Sequence, residues 1–275
     1  MSSGLVRRLG RIAFDYRAAL KRLLPVRRAV LLRLPDFSMY VRLDDWLVGA
    51  RIALRRRYEP HVIAAMRPLL GPGTVMVDIG ANVGYHTLMA ASLVGRAGKV
   101  IAFEPASDNC VLLTRSLVAN GFDNVVVHTL AVADVAGLVG FVMDESNGCI
   151  NPGDPFASAM QVRAVVLDAF LADERRIDVI KMDIEGSEGR ALRGMHGLLH
   201  RCRPVLFTEF FPSALPWRSA MGAEEYLDEL RALGYSLAVI DRESGPAPTA
   251  QENREILAQV AADGRGYVDL VARPA

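Results

Sequence analysis

Four acidic side chains stand at or beside the ends of short apolar segments that are rich in β-branched residues: Asp78, Glu104, Asp183 and Glu209. Such segments are typical of buried strands. In an open parallel sheet, ligands bind outside the carboxyl ends of the strands. Carboxylates at that edge can accept hydrogen bonds, take up a proton or bind a hard cation. The spacing therefore predicts an acid-lined crevice along one edge of a sheet.

The segment 78–84 (DIGANVG) forms a glycine-containing turn after the first of these strands. Glycine lets the backbone approach a ligand closely, and the helix predicted from about Tyr85 to Val94 begins there with free N–H groups. A dinucleotide-binding fingerprint would require glycine at positions 82 and 85, where the chain has Asn82 and Tyr85. The sequence also lacks a G-x-x-x-x-G-K-[ST] phosphate loop.

Glu104 ends the second predicted strand, 26 residues after Asp78. A carboxylate at this place can accept hydrogen bonds from both hydroxyls of a ribose. A glycine turn and a ribose-binding acid, without a pyrophosphate fingerprint, favour a nucleoside ligand that has no phosphates. S-adenosylmethionine is the first candidate.

The alternation of elements after residue 58 predicts the fold. Strands and helices follow one another with short joins, which is typical of a parallel sheet covered by helices on both faces. Residues 135–166 interrupt this rhythm, and we expect an inserted β-hairpin of Leu138–Met143 and Gln161–Val166 around the polar loop Ser146–Pro155. The other predicted strands are Thr74–Ile79, Lys99–Phe103, Val125–Leu130, Ile177–Met182, Pro204–Thr208, Tyr235–Ile240 and Tyr267–Ala272.

Charge divides the chain into two predicted parts. Residues 1–57 hold 14 basic and 4 acidic side chains, whereas residues 58–275 hold 18 and 27. Apolar residues recur at helical spacing from Leu5 to Leu23, which predicts a basic, helical N-terminal arm over 1–57 ahead of a main domain over 58–275. We expect the arm to dock on the domain or on a second copy of the chain, and the protein to form a homo-oligomer through it. The alternatives are contact with anionic lipid and capture of an acidic substrate or nucleic acid. An Arg-rich, acid-poor start also resembles organelle transit peptides.

Cysteine usage and hydropathy indicate the cellular environment that we expect for the protein. Three widely spaced cysteines (Cys110, Cys149 and Cys202) form no CxxC pair, so we expect neither a disulfide framework nor a cysteine-built zinc site. No apolar run reaches transmembrane length. These features favour a reduced, cytoplasmic protein, with membrane association only through the basic arm.

Several motifs resemble those of the FkbM-type methyltransferase family over about residues 58–211: DIGANVGYHT at 78–87, FEP at 103–105, LD at 167–168 and KMDIEGSE at 181–188. The resemblance implies a Rossmann-like, seven-stranded class I methyltransferase fold and S-adenosylmethionine as methyl donor. It also implies O-methylation of a hydroxyl on a sugar or other natural product. By position, the glycine turn would hold the methionine half of the cofactor, Glu104 its ribose, and the segment 130–134 its adenine. The expected cofactor contacts are Asp78, Gly80, Ala81, Asn82, Gly84, Tyr85, Glu104, Pro105, Ala131 and Asp183.

Transfer of an activated methyl group depends mainly on alignment of the acceptor, but a neutral alcohol also needs a base or a metal to take its proton. We expect Asp183 to be this base, and Glu209 and His86 are further catalytic candidates. Asp183, Glu185 and Glu209 would be the oxygen ligands if Mg²⁺ binds, although their spacing does not require a metal.

Alternative functions remain open at this point. The basic arm is compatible with methylation of RNA or protein, yet the sequence has no basic patch interleaved with aromatic residues, so we do not expect nucleic acid. Enzymes that methylate amino groups of adenine or glutamine use a [DN]-P-P-[YF] run, whereas residues 183–186 read DIEG. A non-catalytic nucleoside-binding module is a further alternative, against which Asp78, Glu104 and Asp183 argue together. The polar loop and the partly aromatic segment 211–217 favour a sugar, glycosylated or polyketide-type acceptor.

Overall fold

The computed structural model describes residues 29–151, 153, 160–243, 245–246 and 250–275 of the 275-residue chain. The amphipathic helix predicted from Leu5 to Leu23 lies outside the described residues, so its role stays a prediction.

The described elements alternate along most of the chain. The strands are β1 (Ala29–Arg33), β2 (Ser38–Arg42), β3 (Val75–Ile79), β4 (Lys99–Phe103), β5 (Val125–His128), β6 (Ala131–Val132), β7 (Gly137–Asp144), β8 (Asn147–Asn151), β9 (Met160–Val165), β10 (Val179–Met182), β11 (Val205–Phe210), β12 (Tyr235–Asp241), β13 (Gly245–Pro246) and β14 (Val268–Pro274). The helices are α1 (Gly49–Arg55), α2 (Pro60–Met66), α3 (Tyr85–Val94), α4 (Ser107–Asn120), α5 (Leu167–Phe170), α6 (Glu188–Arg193), α7 (His196–Cys202), α8 (Leu215–Arg218), α9 (Ala223–Ala232) and α10 (Asn253–Asp263), with a short 3-10 helix at Arg67–Leu69.

The central sheet has the strand order β13-β12-β14-β11-β10-β3-β4-β5. Strands β11, β10, β3, β4 and β5 pair in parallel, and β14 pairs antiparallel with both β11 and β12. The two-residue strand β13 is a short edge added to seven longer strands. The predicted doubly wound, mostly parallel seven-stranded sheet is confirmed.

Side chains of each central strand alternate between two hydrophobic cores, because successive residues of a strand point to opposite faces. In β4, Ile101 and Phe103 belong to the core that contains α6, α7 and α9, whereas Val100 and Ala102 belong to the core that contains α3 and α4. Helices therefore cover both faces of the sheet, and the polar groups of the site are confined to its edge.

The strand order reverses direction at β3. The chain passes from β3 to β4 on one side, and returns to β10 on the other side of β3. In doubly wound sheets a ligand crevice forms at such a reversal, outside the carboxyl ends of the strands. Here that edge contains the ends of β3, β4, β10 and β11.

The insertion between β5 and β10 forms a separate four-stranded sheet of order β6-β9-β7-β8. Strands β7 and β9 pair antiparallel, as expected for the inserted hairpin. The expected loop Ser146–Pro155 is corrected in its first part, because Asn147–Asn151 forms β8. Ile150, which pairs with Phe141 of β7 and is buried, gives this polar segment its one core contact.

The helical character predicted for residues 1–57 is wrong over residues 29–42, which form the antiparallel hairpin β1–β2. The backbone N–H groups of Ser38 and Tyr40 donate to Asn120 Oδ1 and Ser116 Oγ on α4, at 2.7 and 2.8 Å. Alternate side chains of β2, including Met39, are buried in the same core as α3 and α4. The hairpin thus packs on the helices that cover one face of the main sheet.

Within the described part of the chain, no helix is long and apolar enough to cross a membrane.

Candidate active site

A cavity of about 960 Å³ opens at the carboxyl ends of the central strands. The loops after β3, β4, β10 and β11, the β7–β8 hairpin and residues 47–61 all contribute to its wall. Of the residues predicted from the sequence, those that line it are Gly80, Ala81, Asn82, Tyr85, His86, Glu104, Pro105, Ala131, Asp183, Glu185 and Glu209. Asp78 and Gly84 lie behind the wall.

The glycine turn packs backbone against backbone. Gly80 has a φ of +82°, and a Cβ built on it would overlap the carbonyl oxygen of Asp183. The N–H groups of Gly80 and Ala81 both donate to the carbonyl of Phe103, at 2.9 and 3.0 Å. Gly84 has a φ of +94°, and a Cβ there would overlap the side chain of Leu113. Gly80 therefore brings β3 and β10 together at the cavity, whereas Gly84 allows α3 to pack on α4.

Asp78 stabilises this turn from the side that faces away from the cavity. Its side chain is fully buried, and Thr87 Oγ1 donates to Asp78 Oδ2 at 2.6 Å. Burial raises the pKa of Asp78, and the charge of Lys181 opposes this shift. Because Asp78 does not line the cavity, the structure favours a supporting position behind the cofactor site.

Glu104 is held rigidly at the end of β4. Glu104 Oε2 accepts the N–H of Asn82 at 2.8 Å, and Oε1 accepts the N–H of Ala106 at 2.8 Å and Asn109 Nδ2 at 3.3 Å. Only 5% of the residue is exposed, and it lines the cavity. Burial raises the pKa of Glu104 to about 7, although its backbone hydrogen bonds favour the charged form.

Lys181 and Asp183 form a buried ion pair at the end of β10. Lys181 Nζ donates to Asp183 Oδ2 at 3.1 Å. Burial disfavours the ammonium group, but the carboxylates of Asp183, Asp78 and Glu59 outweigh this effect and raise the pKa of Lys181. The Asp183 side chain, which lines the cavity, is thus held in place by Lys181.

Three further carboxyl groups surround this pair. Burial and the charge of Asp183 raise the pKa of Glu59 to about 8, that of Glu185 to about 7 and that of Glu209 well above its usual value. Glu209 Oε2 is buried without a hydrogen-bond partner among the described residues. These three carboxyls are therefore poised to keep a proton near neutral pH.

Among the residues that the structure describes, no three His, Cys, Asp or Glu side chains are gathered in an arrangement that could hold a metal ion. The geometry thus does not bring Asp183, Glu185 and Glu209 together as ligands of one Mg²⁺.

His86 lies in the first turn of α3, within an aromatic cluster. Its ring centroid is 6.2 Å from that of Tyr58 and 6.0 Å from that of Tyr85. His86 Nε2 lies 3.5 Å from Glu59 Oε2. Burial, together with the charge of Lys181, lowers the pKa of His86 well below its usual value. The imidazole is therefore neutral near pH 7 and can accept or donate a hydrogen bond.

The tip of the β7–β8 hairpin connects the two sides of the crevice. Asn82 Nδ2 donates to Asn147 Oδ1 at 2.9 Å, and Asn147 Nδ2 donates to Glu185 Oε1 at 2.7 Å. Asn109 Nδ2 also donates to the carbonyl of Ser146 at 2.8 Å. The insertion is therefore part of the site.

Some cavity residues were not predicted as site residues. Lys181 and Glu59 are two of them. Asn147 was only part of a loop expected to contact the acceptor. Asn82, Glu185 and Glu59 have positive φ values of 52°, 58° and 40°. Such backbone conformations concentrate at functional sites, but residue types alone do not reveal them.

Comparison with known proteins decides the family. The pattern that defines the methyltransferase FkbM domain matches residues 78–237, which include the glycine turn, Glu104 and the KMDIEGSE segment. The chain belongs to the FkbM methyltransferase family. Its sheet is accordingly that of a class I methyltransferase. The expected family and fold class are both confirmed.

Individual relatives of this FkbM methyltransferase are more distant. Over 70 residues it is 37% identical to protein-L-isoaspartate O-methyltransferase 1 of Archaeoglobus fulgidus, a match that spans 25% of this chain and about a third (32%) of that relative. The solved structure of methyltransferase FkbM from Methylobacillus flagellatus has 18% identity and a TM-score of 0.46, covering 73% of this chain and 43% of that one. A SAM-dependent O-methyltransferase from Thermotoga maritima has 14% identity and a TM-score of 0.44, covering 90% and 78%.

The cofactor that an FkbM methyltransferase implies, S-adenosylmethionine, fits the residues present. Glu104 offers a fixed carboxyl in the cavity wall for ribose hydroxyls. Gly80 and Ala81 bring backbone to the wall without a phosphate-binding loop. The volume of about 960 Å³ is near the upper end of ordinary ligand pockets, which leaves room for a second molecule beside a nucleoside.

Proposed function

We propose that this protein is an S-adenosylmethionine-dependent O-methyltransferase that acts on a hydroxyl of a small molecule, such as a sugar or a glycosylated or polyketide-type natural product. The observation that carries the proposal is one continuous cavity that contains both the Glu104 carboxyl and the Lys181–Asp183 ion pair. Family membership supports methyl transfer, and the A. fulgidus relative is by name an O-methyltransferase.

The residues along the cavity would each have a different role. Glu104 would hold the ribose, the turn Gly80–Asn82 the methionine half, and Ala131 would face the adenine. When bound, the cofactor supplies a methyl group on a sulfonium sulfur, which a hydroxyl oxygen can take by in-line displacement. Asp183, which lines the cavity and is held in place by Lys181, would accept the proton that the hydroxyl loses. Glu209 would donate a hydrogen bond rather than accept a proton, since the pKa of Glu209 is raised.

The choice of Asp183 over His86 follows from their surroundings. Burial lowers the pKa of His86 well below its usual value, so its imidazole is neutral near pH 7. His86 is also enclosed by Tyr58, Tyr85 and Glu59, which suits a residue that shapes the wall. We therefore assign the proton transfer to Asp183 and a positioning role to His86.

A methyl-transfer assay tests the proposal. The protein is incubated with S-adenosylmethionine and a panel of hydroxyl compounds (sugars, phenols and glycosylated macrolides), and the release of S-adenosylhomocysteine is measured. We expect release with at least one member and a methyl ether as product by mass spectrometry. Asp183→Asn should bind S-adenosylmethionine within about threefold of wild type while turnover falls about 100-fold or more, the usual contribution of a general base. A product methylated on nitrogen or carbon, or unchanged turnover of Asp183→Asn, would reject the corresponding assignment.

A further inference from the structure

Five arginine side chains line the same cavity. Arg218 donates to the carbonyl of Glu185, and the other four are exposed and do not belong to the proposed cofactor site. Arg51 and Arg55 lie one turn apart on α1, Arg57 follows two residues after Arg55, and Arg242 follows the end of β12. All four are exposed to solvent, whereas Glu104 and Lys181 of the cavity floor are buried. The cavity therefore has an acidic interior and a basic outer wall.

These arginines lack the counter-ions that other arginines of the molecule have. Arg190 and Arg193 both pair with Asp134, and Arg67 pairs with Asp36. Among the described residues, by contrast, the guanidinium groups of Arg51, Arg55, Arg57 and Arg242 form no ion pair. The guanidinium of Arg51 reaches only the carbonyl of Leu47, at 3.4 Å.

The positive charges of this outer wall affect the pKa values of groups in the interior of the cavity. Arg242 acts on the pKa of Glu59, which it lowers against the larger effects of burial and Asp183. The charge of Arg51 likewise lowers the pKa of Tyr58, against the larger effect of burial. Arg51 and Arg242 are thus within electrostatic reach of groups around Asp183. Because all four arginines and Asp183 line one cavity, a single small molecule can contact both.

We propose that the acceptor is an anion whose phosphate or carboxylate group is bound by Arg51, Arg55, Arg57 and Arg242 while its hydroxyl faces Asp183. Guanidinium groups match the planar, two-oxygen geometry of carboxylate and phosphate, which they bind with paired hydrogen bonds. The inference rests on the proposed function, since it names the substrate class of that same site.

Anion binding to the cofactor-loaded protein tests this inference. The full chain, saturated with S-adenosylhomocysteine, is titrated calorimetrically with pyrophosphate and separately with glutarate at fixed ionic strength. We expect at least one probe to bind with a one-to-one stoichiometry, and the preferred probe distinguishes a phosphate-bearing from a carboxylate-bearing acceptor. The double variant Arg55→Gln/Arg242→Gln should weaken that binding about 10-fold or more, because hydrogen bonds to charged groups are lost. Arg96→Gln is the matched control, since Arg96 is an exposed arginine outside the cavity, paired with Asp123.

The outcomes separate this inference from the proposed function. Binding of neither probe, equal binding by the double variant, or an equal loss in Arg96→Gln overturns the anionic acceptor. A loss of S-adenosylhomocysteine affinity in the double variant also overturns it, because the arginines would then hold the carboxylate of the cofactor. A wild-type protein that does not bind S-adenosylhomocysteine rejects the proposed function, and this inference with it.

Discussion

Glu104 shows at the residue scale how a binding group is prepared in advance. Its two oxygens accept three hydrogen bonds from Asn82, Ala106 and Asn109, so its orientation is fixed before a ligand arrives. Burial nevertheless raises the pKa of Glu104 to about 7, so the charged form lacks part of the solvation that it would have in water. Two ribose hydroxyls that donate to this carboxylate would replace that solvation.

We expect Glu104→Gln to weaken S-adenosylhomocysteine binding about 10-fold or more, since a hydrogen bond to a charged group contributes about 1.5–3 kcal/mol. Glutamine keeps the size of the side chain, so the melting temperature checks that the fold is retained. Calorimetry measures the affinity, and Glu224→Gln is the control, because Glu224 is exposed in the first turn of α9. Equal affinity of Glu104→Gln and wild type would contradict the ribose assignment.

The same carboxyl predicts a pH dependence of cofactor binding. With a pKa of about 7, the carboxyl of Glu104 becomes protonated as the pH falls from about 8 to 6, and the charge-assisted hydrogen bonds to ribose are then lost. The affinity for S-adenosylhomocysteine should therefore decrease over this interval in wild type and change less in Glu104→Gln. Parallel pH profiles of the two proteins would show that another group is responsible.

At the scale of elements, the site depends on close approach of the turns that end β3 and β10. The N–H of Asp183 donates to the carbonyl of Ile79 at 3.1 Å, and Gly80 leaves no room for a side chain against the Asp183 carbonyl. This contact sets the distance between the glycine turn and the Lys181–Asp183 pair.

Gly80→Ala should therefore destabilise the protein by about 2 kcal/mol or more, through a positive φ that alanine disfavours and an overlap with backbone that cannot move aside. Urea unfolding measures the change. The control is Gly71→Ala, because a Cβ at Gly71 meets nothing within 4 Å and its φ is not in the left-handed region. A loss equal to that of the control would show that the two strand ends are less tightly packed than described.

The tip of the β7–β8 hairpin, residues 144–147, is the second element that the site requires. Asn147 connects Asn82 with Glu185, and Glu145 Oε2 accepts the N–H groups of Trp46 and Leu47 ahead of α1. The hairpin thus fixes the inner wall and the start of the arginine-bearing wall together.

We expect Asn147→Ala to increase hydrogen exchange of amides 144–148 and to weaken S-adenosylhomocysteine binding several-fold, because Asn82 and Glu185 both lose a partner. Hydrogen-exchange mass spectrometry and calorimetry measure the two effects. Leu138→Ala serves as the control, since Leu138 lies on β7 with an exposed side chain outside the cavity. Unchanged exchange at the tip would reject its role as a bridge.

The strands of the central sheet could be predicted because each is a continuous apolar segment between turn residues, and this pattern is set locally. Strand β8 could not, since Gly148 and the two asparagines of Asn147–Asn151 are typical of a loop, and only pairing with β7 makes them a strand. The hairpin β1–β2 was missed for a related reason. Its N–H groups find partners on α4, 76 and 82 residues away in sequence.

At the scale of the whole molecule, the formal net charge of +1 counts every carboxyl group as ionised, although some buried carboxyl groups keep their protons. Burial raises the pKa of Glu59 and of Glu188 to about 8. The unfolded chain releases these protons from about pH 4.5 upward, whereas the folded protein retains them until about pH 8. With respect to these groups, stability is therefore greatest below about pH 4.5, falls progressively as the pH rises, and is fully lost once the pH has passed about 8.

We expect the melting temperature of the ligand-free protein to fall by about 3–6 °C between about pH 7 and 8.5. Each proton that only the folded state retains lowers the free energy of unfolding by about 1.4 kcal/mol per unit of pH. Over this interval the buried His86 contributes little, since the pKa of His86 is already far below it. Differential scanning calorimetry at matched ionic strength measures the trend. Glu59→Gln should reduce the decrease, and a melting temperature that is constant or rises with pH would contradict the account.

The acids at or beside the ends of strands could be predicted as site residues, because the carboxyl ends of parallel strands meet at one edge. The arginines of α1 could not be assigned to the cavity from the sequence. They lie in a basic segment for which lipid, a second subunit and an acidic substrate were all compatible with composition. Only the packing of residues 29–61 on α3 and α4 brings Arg51 and Arg55 to the wall.

The most direct test of the account is a crystal structure of the protein with S-adenosylhomocysteine. We predict that both ribose hydroxyls lie within hydrogen-bond distance of the Glu104 carboxylate, and that the sulfur faces the space next to Asp183. A nucleoside bound elsewhere, or a Glu104 side chain that makes no contact with the ribose, would contradict the central claim.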